Sequence, residues 1–255
     1  MTPGGSGAQP PRALTFGSVA EAYERHRLGY PDEVVDEVLR YAGRPVGNAV
    51  EIGAGTGKAT TLFASRGIDV TAVEPDADMA RVLRRTTTGL PVEVMVTTYE
   101  QLHLDRRFDL LVAAASWHWT DPATRWTRAA QLLVPGGVVA LLGRDARLCD
   151  PALAEAVLDV EREVLADGDG GSAGVHPWSL DETVDVLELT DAIELLLPDP
   201  VTTTPAGYVG QLATVSAYLV LDAQVRDDAL RRIEAILPDR VEIDSTVQVS
   251  MVRRI

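Results

Sequence analysis

The chain has almost no cysteine: Cys149 stands alone in 255 residues, which excludes an internal disulfide and suits a reducing compartment. Basic residues are scarce as well. Lys and Arg number 23 against 38 Asp and Glu, a formal charge of −15, and such a surface repels phosphate backbones and acidic membranes. Long apolar runs are missing; the stretches at Leu110–Ala115 and Val138–Leu142 are far shorter than a bilayer-spanning helix requires. Residues 1–14, MTPGGSGAQPPRAL, hold Gly and Pro where a signal peptide would carry an apolar core. The expectation is a disordered tail followed by a soluble, cytoplasmic, single-domain protein over residues 15–255, with neither nucleic acid nor membrane as partner. His26 and His103 lack ligand-spaced partners and no Cys/His cluster exists, so no metal site is expected.

Glycine is present where it matters. In Asn48-Ala49-Val50-Glu51-Ile52-Gly53-Ala54-Gly55-Thr56-Gly57-Lys58 a short apolar run breaks into three alternate glycines with a helix to follow, the pattern of a buried strand turning tightly beside a ligand. A dinucleotide fingerprint wants its third glycine one residue later, where Lys58 stands, and a phosphate-binding loop wants Ser or Thr at Ala59. Both spacings fail.

Downstream, apolar runs at 46–52, 68–74, 92–96, 108–114 and 138–142 alternate with helical patterns, which predicts a doubly wound α/β sheet. Ahead of them, residues 18–41 read as helix interrupted at Gly29-Tyr30-Pro31, a cover spanning 15–45 before the core at 46–143. Pro135-Gly136-Gly137 reads as a turn. The remainder divides into a helical cap at 144–190, holding the glycine-rich break at 167–174 and His176-Pro177-Trp178, and a closing part at 191–255. There residues 192–197 read as strand, 205–218 and 222–237 as helices, and 241–253, with Val247, Val249 and Met251 on one face, as a closing edge strand.

These motifs together resemble the class I S-adenosylmethionine-dependent methyltransferases over residues 16–143. The glycine turn is similar to the family's first motif, Val73-Glu74-Pro75-Asp76 with Met79 to its second, Phe108–Val112 to its fourth strand, and Leu132–Gly137 to the approach to its fifth. The resemblance implies a mostly parallel seven-stranded sheet with an antiparallel last strand, and S-adenosylmethionine as cofactor. Tyr23, Arg27-Leu28-Gly29-Tyr30-Pro31, Trp117-His118-Trp119 and Ser216-Ala217-Tyr218 further resemble the small-molecule branch of trans-aconitate-type methyltransferases. Those relatives carry Phe where Trp117 stands and Pro where Leu28 stands.

On this reading Glu74, at the tip of the second strand, accepts both ribose hydroxyls. Gly53, Ala54, Gly55 and Gly57 let the backbone approach the donor, and Glu51 accepts from its ammonium. Pro75, Met79, Thr98, Tyr99 and Ala115 complete the cofactor site. Tyr23 and Arg27 close over it, unless Arg27 serves a surface ion pair. Glu100 is either a ligand or a solvated loop acid. His118 is the candidate base or else braces its loop, while Trp117 and Trp119 are expected to pack in the core. The expected reaction is methyl transfer to a small molecule at a carboxylate or hydroxyl oxygen. Transfer to nitrogen or carbon, an NAD-linked oxidoreductase, and a non-catalytic cofactor-binding protein are the alternatives.

Overall fold

The computed structural model describes residues 16–165 and 189–255; the expected tail, the glycine-rich break and the His176 loop lie outside them. A 3-10 turn at Phe16–Val19 leads into α1 (Ala20–His26) and α2 (Glu33–Ala42). Pro31 sits just ahead of α2, and Gly43 closes it at φ 64° with its N–H on the Leu39 carbonyl, a left-handed stop that glycine tolerates best. Between these signals Val34, Val35, Val38 and Ala42 recur at helical spacing and are buried against the sheet.

The core follows as β1 (Asn48–Ile52), α3 (Lys58–Ala64), β2 (Asp69–Val73), α4 (Ala77–Thr86), β3 (Val92–Met95), β4 (Phe108–Ala114), α5 (Arg125–Leu132) and β5 (Leu133–Leu148). Asp76 caps α4 by accepting from the Asp78 and Met79 N–H groups at 2.9 and 3.0 Å. The first four strands pair in the order β3-β2-β1-β4, followed by β5, all parallel. At their entering ends the Asp109 carboxylate accepts from the Gly47 and Asn48 amides while Asn48 Oδ1 accepts from the Asp109 amide. Arg44 pairs with the same carboxylate at 2.9 Å. That reciprocal knot fixes β1 beside β4, so their far ends meet around the glycine turn.

The last third comprises α6 (Pro151–Val164), β6 (Leu189–Pro198), β7 (Val201–Thr203), α7 (Pro205–Leu212), α8 (Ser216–Leu219), α9 (Ala223–Ile236) and β8 (Val241–Arg254). β8 is antiparallel and lies between β5 and β6, so it is an interior strand and not the expected edge. Pairing makes the difference, since β6 takes up the edge of β8 away from β5; the alternation of β8 gives way to unbroken burial over Ser250–Val252, as in a strand with both faces covered. Val247, Val249 and Met251 do share the face under α2. After a register shift between Thr190 and Ile193, β6 and then β7 pair with β8 in one register, interrupted at Asp199 and Pro200, so the eight strands among the described residues occupy seven sheet positions.

β5 is longer than expected. Pro135, Gly136 and Gly137 form a bulge within it against β4, with Gly136 at φ 76°, and pairing with β8 carries the strand on to Leu148. Residues 144–148 are therefore strand. α6 packs with α7, α8 and α9 on Leu148, Val241 and Ile243 at that extended end. Opposite α2 and α3, the other sheet face is covered by α5 over Val50, Leu111, Val139 and Leu141. Among the described residues no helix is long and apolar enough to cross a membrane.

Candidate functional site

A cleft of about 250 Å³ opens where β1, β2 and β4 end, the crevice at which open α/β sheets bind ligands. The glycines there do different jobs. Gly53, at φ 66°, leaves no room for a side chain: an added Cβ would lie 2.5 Å from Ser116 Cβ. Gly55, at φ 58°, lines the cleft, and its missing Cβ would meet nothing within 4 Å. The space over Gly55 is thus open to a ligand. Gly57 faces away, against Leu83 and Thr86 of α4, so it seats α3 on α4 and does not border the cleft.

Glu74 leaves β2 into this space with 6% exposure. Its Oε2 accepts from the Gly55 N–H at 2.7 Å and its Oε1 from the Asp76 N–H at 2.9 Å. Burial pushes the carboxyl up to about 7 against the pull of those two amides. Each carboxylate oxygen retains a further lone-pair direction, so a pair of hydroxyls can still dock there. Glu51 is deeper, 2% exposed, and does not border the cleft. Its Oε2 accepts from Thr60 Oγ1 at 2.6 Å, and burial, reinforced by the Glu74 charge and opposed by Thr60, lifts it to about 8.

The floor and walls match much of the expected set. Tyr23, Gly53, Gly55, Glu74, Pro75, Met79, Thr98, Tyr99 and Ala115 all border the cleft. Ala115 stands at φ 52°, a left-handed conformation uncommon for a residue with a Cβ, and its N–H bonds the Leu142 carbonyl at 2.8 Å. That bend carries the chain from β4 over Gly53. Tyr99 borders the cleft with its ring packed 5.7 Å from that of Trp117, and its hydroxyl donates to the Arg125 carbonyl at 2.9 Å.

Five other expected residues sit elsewhere. Ala54 is buried with its N–H on the Val73 carbonyl. Arg27 donates from Nε and Nη2 to the hydroxyl and carbonyl of Thr214, at 2.8 and 3.0 Å, joining α1 to the loop between α7 and α8 in place of a surface ion pair. Glu51 and Gly57 are placed as above. His118 does not border the cleft; its ring lies 4.4 Å from that of Trp119, which does.

The two tryptophans part company. Trp117 is fully buried between Tyr99 and Trp126, as expected, but Trp119 is 39% exposed and borders the cleft. Core packing is therefore wrong for Trp119: the 3-10 turn at Trp117–Trp119 sends neighbouring rings in different directions. Phe16 and Ser116 also border the cleft and were not foreseen. Phe16 meets Tyr23 and Trp119 edge to face at 6.2 and 6.3 Å, forming an aromatic roof. Its one signal was an aromatic directly ahead of the first helix. Glu100 borders the cleft too, with Oε1 accepting from the Asp121 N–H at 3.0 Å.

α1 is held over the site by Lys58, which donates to the Glu24 carbonyl at 2.6 Å. Glu21 pairs with Arg81 and Arg85 of α4, and those guanidiniums hold it down at about 2. Among the described residues no cluster of His, Cys, Asp and Glu could hold a metal ion.

Comparison with known proteins agrees with this geometry. A family model described as a methyltransferase domain matches residues 50–141, the segment from the glycine turn to β5. An uncharacterized methyltransferase of Mycobacterium tuberculosis is 34% identical over 241 residues, covering 88% of this chain and 86% of that protein. A provisionally named type II methyltransferase of Anaeromyxobacter dehalogenans superposes with TM-score 0.58 at 23% identity, over 89% of this chain and 96% of that one. A S-adenosylmethionine-dependent methyltransferase of Geobacter sulfurreducens, solved with S-adenosylhomocysteine, gives TM-score 0.53 at 15% identity, over 96% of this chain and 98% of that one. With the sheet order, the glycine turn and the acid ending β2 all in place, the chain belongs to the class I S-adenosylmethionine-dependent methyltransferase family.

Proposed function

We propose that this enzyme transfers a methyl group from S-adenosylmethionine to a small-molecule acceptor at an oxygen, in the cytoplasm. The observation that carries the donor half is Glu74 facing the open space over Gly55: a buried carboxylate for two hydroxyls beside a backbone stripped of its Cβ. Glu74 would hold the ribose. Pro75, Met79, Thr98 and Tyr99 would enclose the adenine, and Gly53, Gly55 and Ala115 would border the methionyl arm. When bound, the donor supplies a methyl group on a positively charged sulfur, whose charge disperses as the acceptor attacks.

This chain's own contribution is alignment and exclusion of water. The roof of Phe16, Tyr23 and Trp119 closes the cleft with apolar surface. His118, one residue before Trp119, is the proposed base for a hydroxyl acceptor; a carboxylate acceptor would need none near neutral pH. Oxygen as the attacked atom rests on the likeness to trans-aconitate-type enzymes. A labelled-methyl assay over acids, phenols, alcohols and amines, with products identified by mass, tests the proposal. A methylated oxygen supports it, and methylation confined to nitrogen or carbon refutes the choice of atom.

A further inference from the structure

The roof of the cleft is carried by a helix too short to hold itself. α1 has seven residues, fewer than a helix needs to be stable alone in water, yet it presents Tyr23 to the cleft. Its position is set by its anchors, and they differ in kind. On the α4 side Glu21 pairs with Arg81 and Arg85 through side chains that are all about half exposed, where ion pairs contribute little. On the other side α1 meets α7, and the His26 ring packs so closely on Gly210 that an added Cβ would lie 2.5 Å from Nδ1. Beside that contact Arg27 reaches Thr214, which is fully buried. Thr214 Oγ1 gives its one proton to the Gln211 carbonyl at 2.7 Å and accepts from Arg27 Nε at 2.8 Å, while the Thr214 carbonyl accepts from Nη2 at 3.0 Å. Two charge-assisted bonds fix both the angle and the reach of the guanidinium. That guanidinium lies 5.4 Å from the centre of the Tyr23 ring, within cation–π range. Thr214 does not itself border the cleft. Its loop is held from behind, where Tyr218 donates to Glu161 of α6 at 2.9 Å and both side chains are buried.

We infer that Thr214 is a positioning residue for the methyl donor: through Arg27 it fixes Tyr23 over the cleft, which makes the loop between α7 and α8 part of the donor's closure. The inference rests on the reading that the cleft holds S-adenosylmethionine.

The test is calorimetry with S-adenosylhomocysteine on the full chain. Thr214→Val deletes the acceptor for Nε and should raise Kd at least about fivefold, the scale of a hydrogen bond to a charged group, and Thr214→Ser should restore it. Ile233→Val loosens the apolar cluster shared by α7 and α9 without touching the Arg27 joint, and should leave Kd within about twofold. In a Tyr23→Ala background, where the ring that Thr214 acts on is gone, adding Thr214→Val should change Kd by less than about twofold. Should Thr214→Val not fold, Arg27→Gln breaks the same joint and carries the same expectations. Near-normal affinity in Thr214→Val overturns the inference, as does an equal loss in Ile233→Val or a full further loss in the Tyr23→Ala background. Failure of the wild-type chain to bind S-adenosylhomocysteine is a different result: it sinks the donor reading, and the inference with it.

Discussion

Replacing Glu74 by Gln should move two measurable quantities in opposite directions. In the free protein the Glu74 carboxyl is raised by burial from 4.5 to about 7, so the folded state holds its proton more tightly than the unfolded chain. Its contribution is intact below pH 4.5 and is lost as pH rises through about 7, a span worth about 3 kcal/mol at 1.36 kcal/mol per pKa unit. Glu51, raised to about 8, acts in the same direction. Glu74→Gln removes the buried charge, so the free variant should be more stable than wild type at pH 8, with a shallower fall between pH 5 and 8.

Cofactor binding should go the other way. A neutral amide cannot offer charge-assisted acceptors to two hydroxyls, and losing such bonds costs about 1.5–3 kcal/mol, roughly tenfold to a hundredfold in Kd. Wild-type affinity should also rise with pH up to about 7, because hydroxyl donors favour the ionised carboxylate; the variant should lack that dependence. Urea melts of the free protein and calorimetry with S-adenosylhomocysteine, each run from pH 5 to 8, read both effects. Affinity within threefold of wild type, with an unchanged pH profile, would refute the role given to Glu74.

The glycine turn and the loop after β4 make further distinctions. Gly53→Ala places a Cβ 2.5 Å from that of Ser116 at φ 66°, so chemical denaturation should show a loss of at least about 2 kcal/mol. Gly55→Ala meets open space at φ 58°; it should cost about 1 kcal/mol in stability yet weaken S-adenosylhomocysteine binding by more than Gly53→Ala does per unit of lost stability. His118→Ala should abolish turnover of a hydroxyl acceptor while leaving cofactor Kd within about twofold, a ratio that separates a base from a ligand. Turnover near wild type would return His118 to a bracing role.

The order of strands and helices through β5 was legible because each element carries its own local signal. Alternate glycines end β1, an acid ends β2, and unbroken apolar runs mark strands covered on both faces. Glu74 was legible for the same reason, since a strand tip is a local address. The remaining placements depend on contacts distant in sequence. Nothing near Arg27 signals that its guanidinium reaches Thr214, 187 residues on. β8 reads as an edge strand until β6 is known to pair beyond it. Gly57 shares the motif of Gly53 and Gly55, but α4 claims its space. Trp117 and Trp119 are indistinguishable by residue type, and a single turn decides which is buried.

The central claim is that the cleft over Gly55 and Glu74 holds S-adenosylmethionine. Calorimetric titration of the full chain with S-adenosylhomocysteine and, separately, with NADH tests it most directly. The account predicts one site per chain for S-adenosylhomocysteine, weakened in Glu74→Gln, and no heat of binding with NADH. Saturable binding of NADH with none of S-adenosylhomocysteine would contradict it.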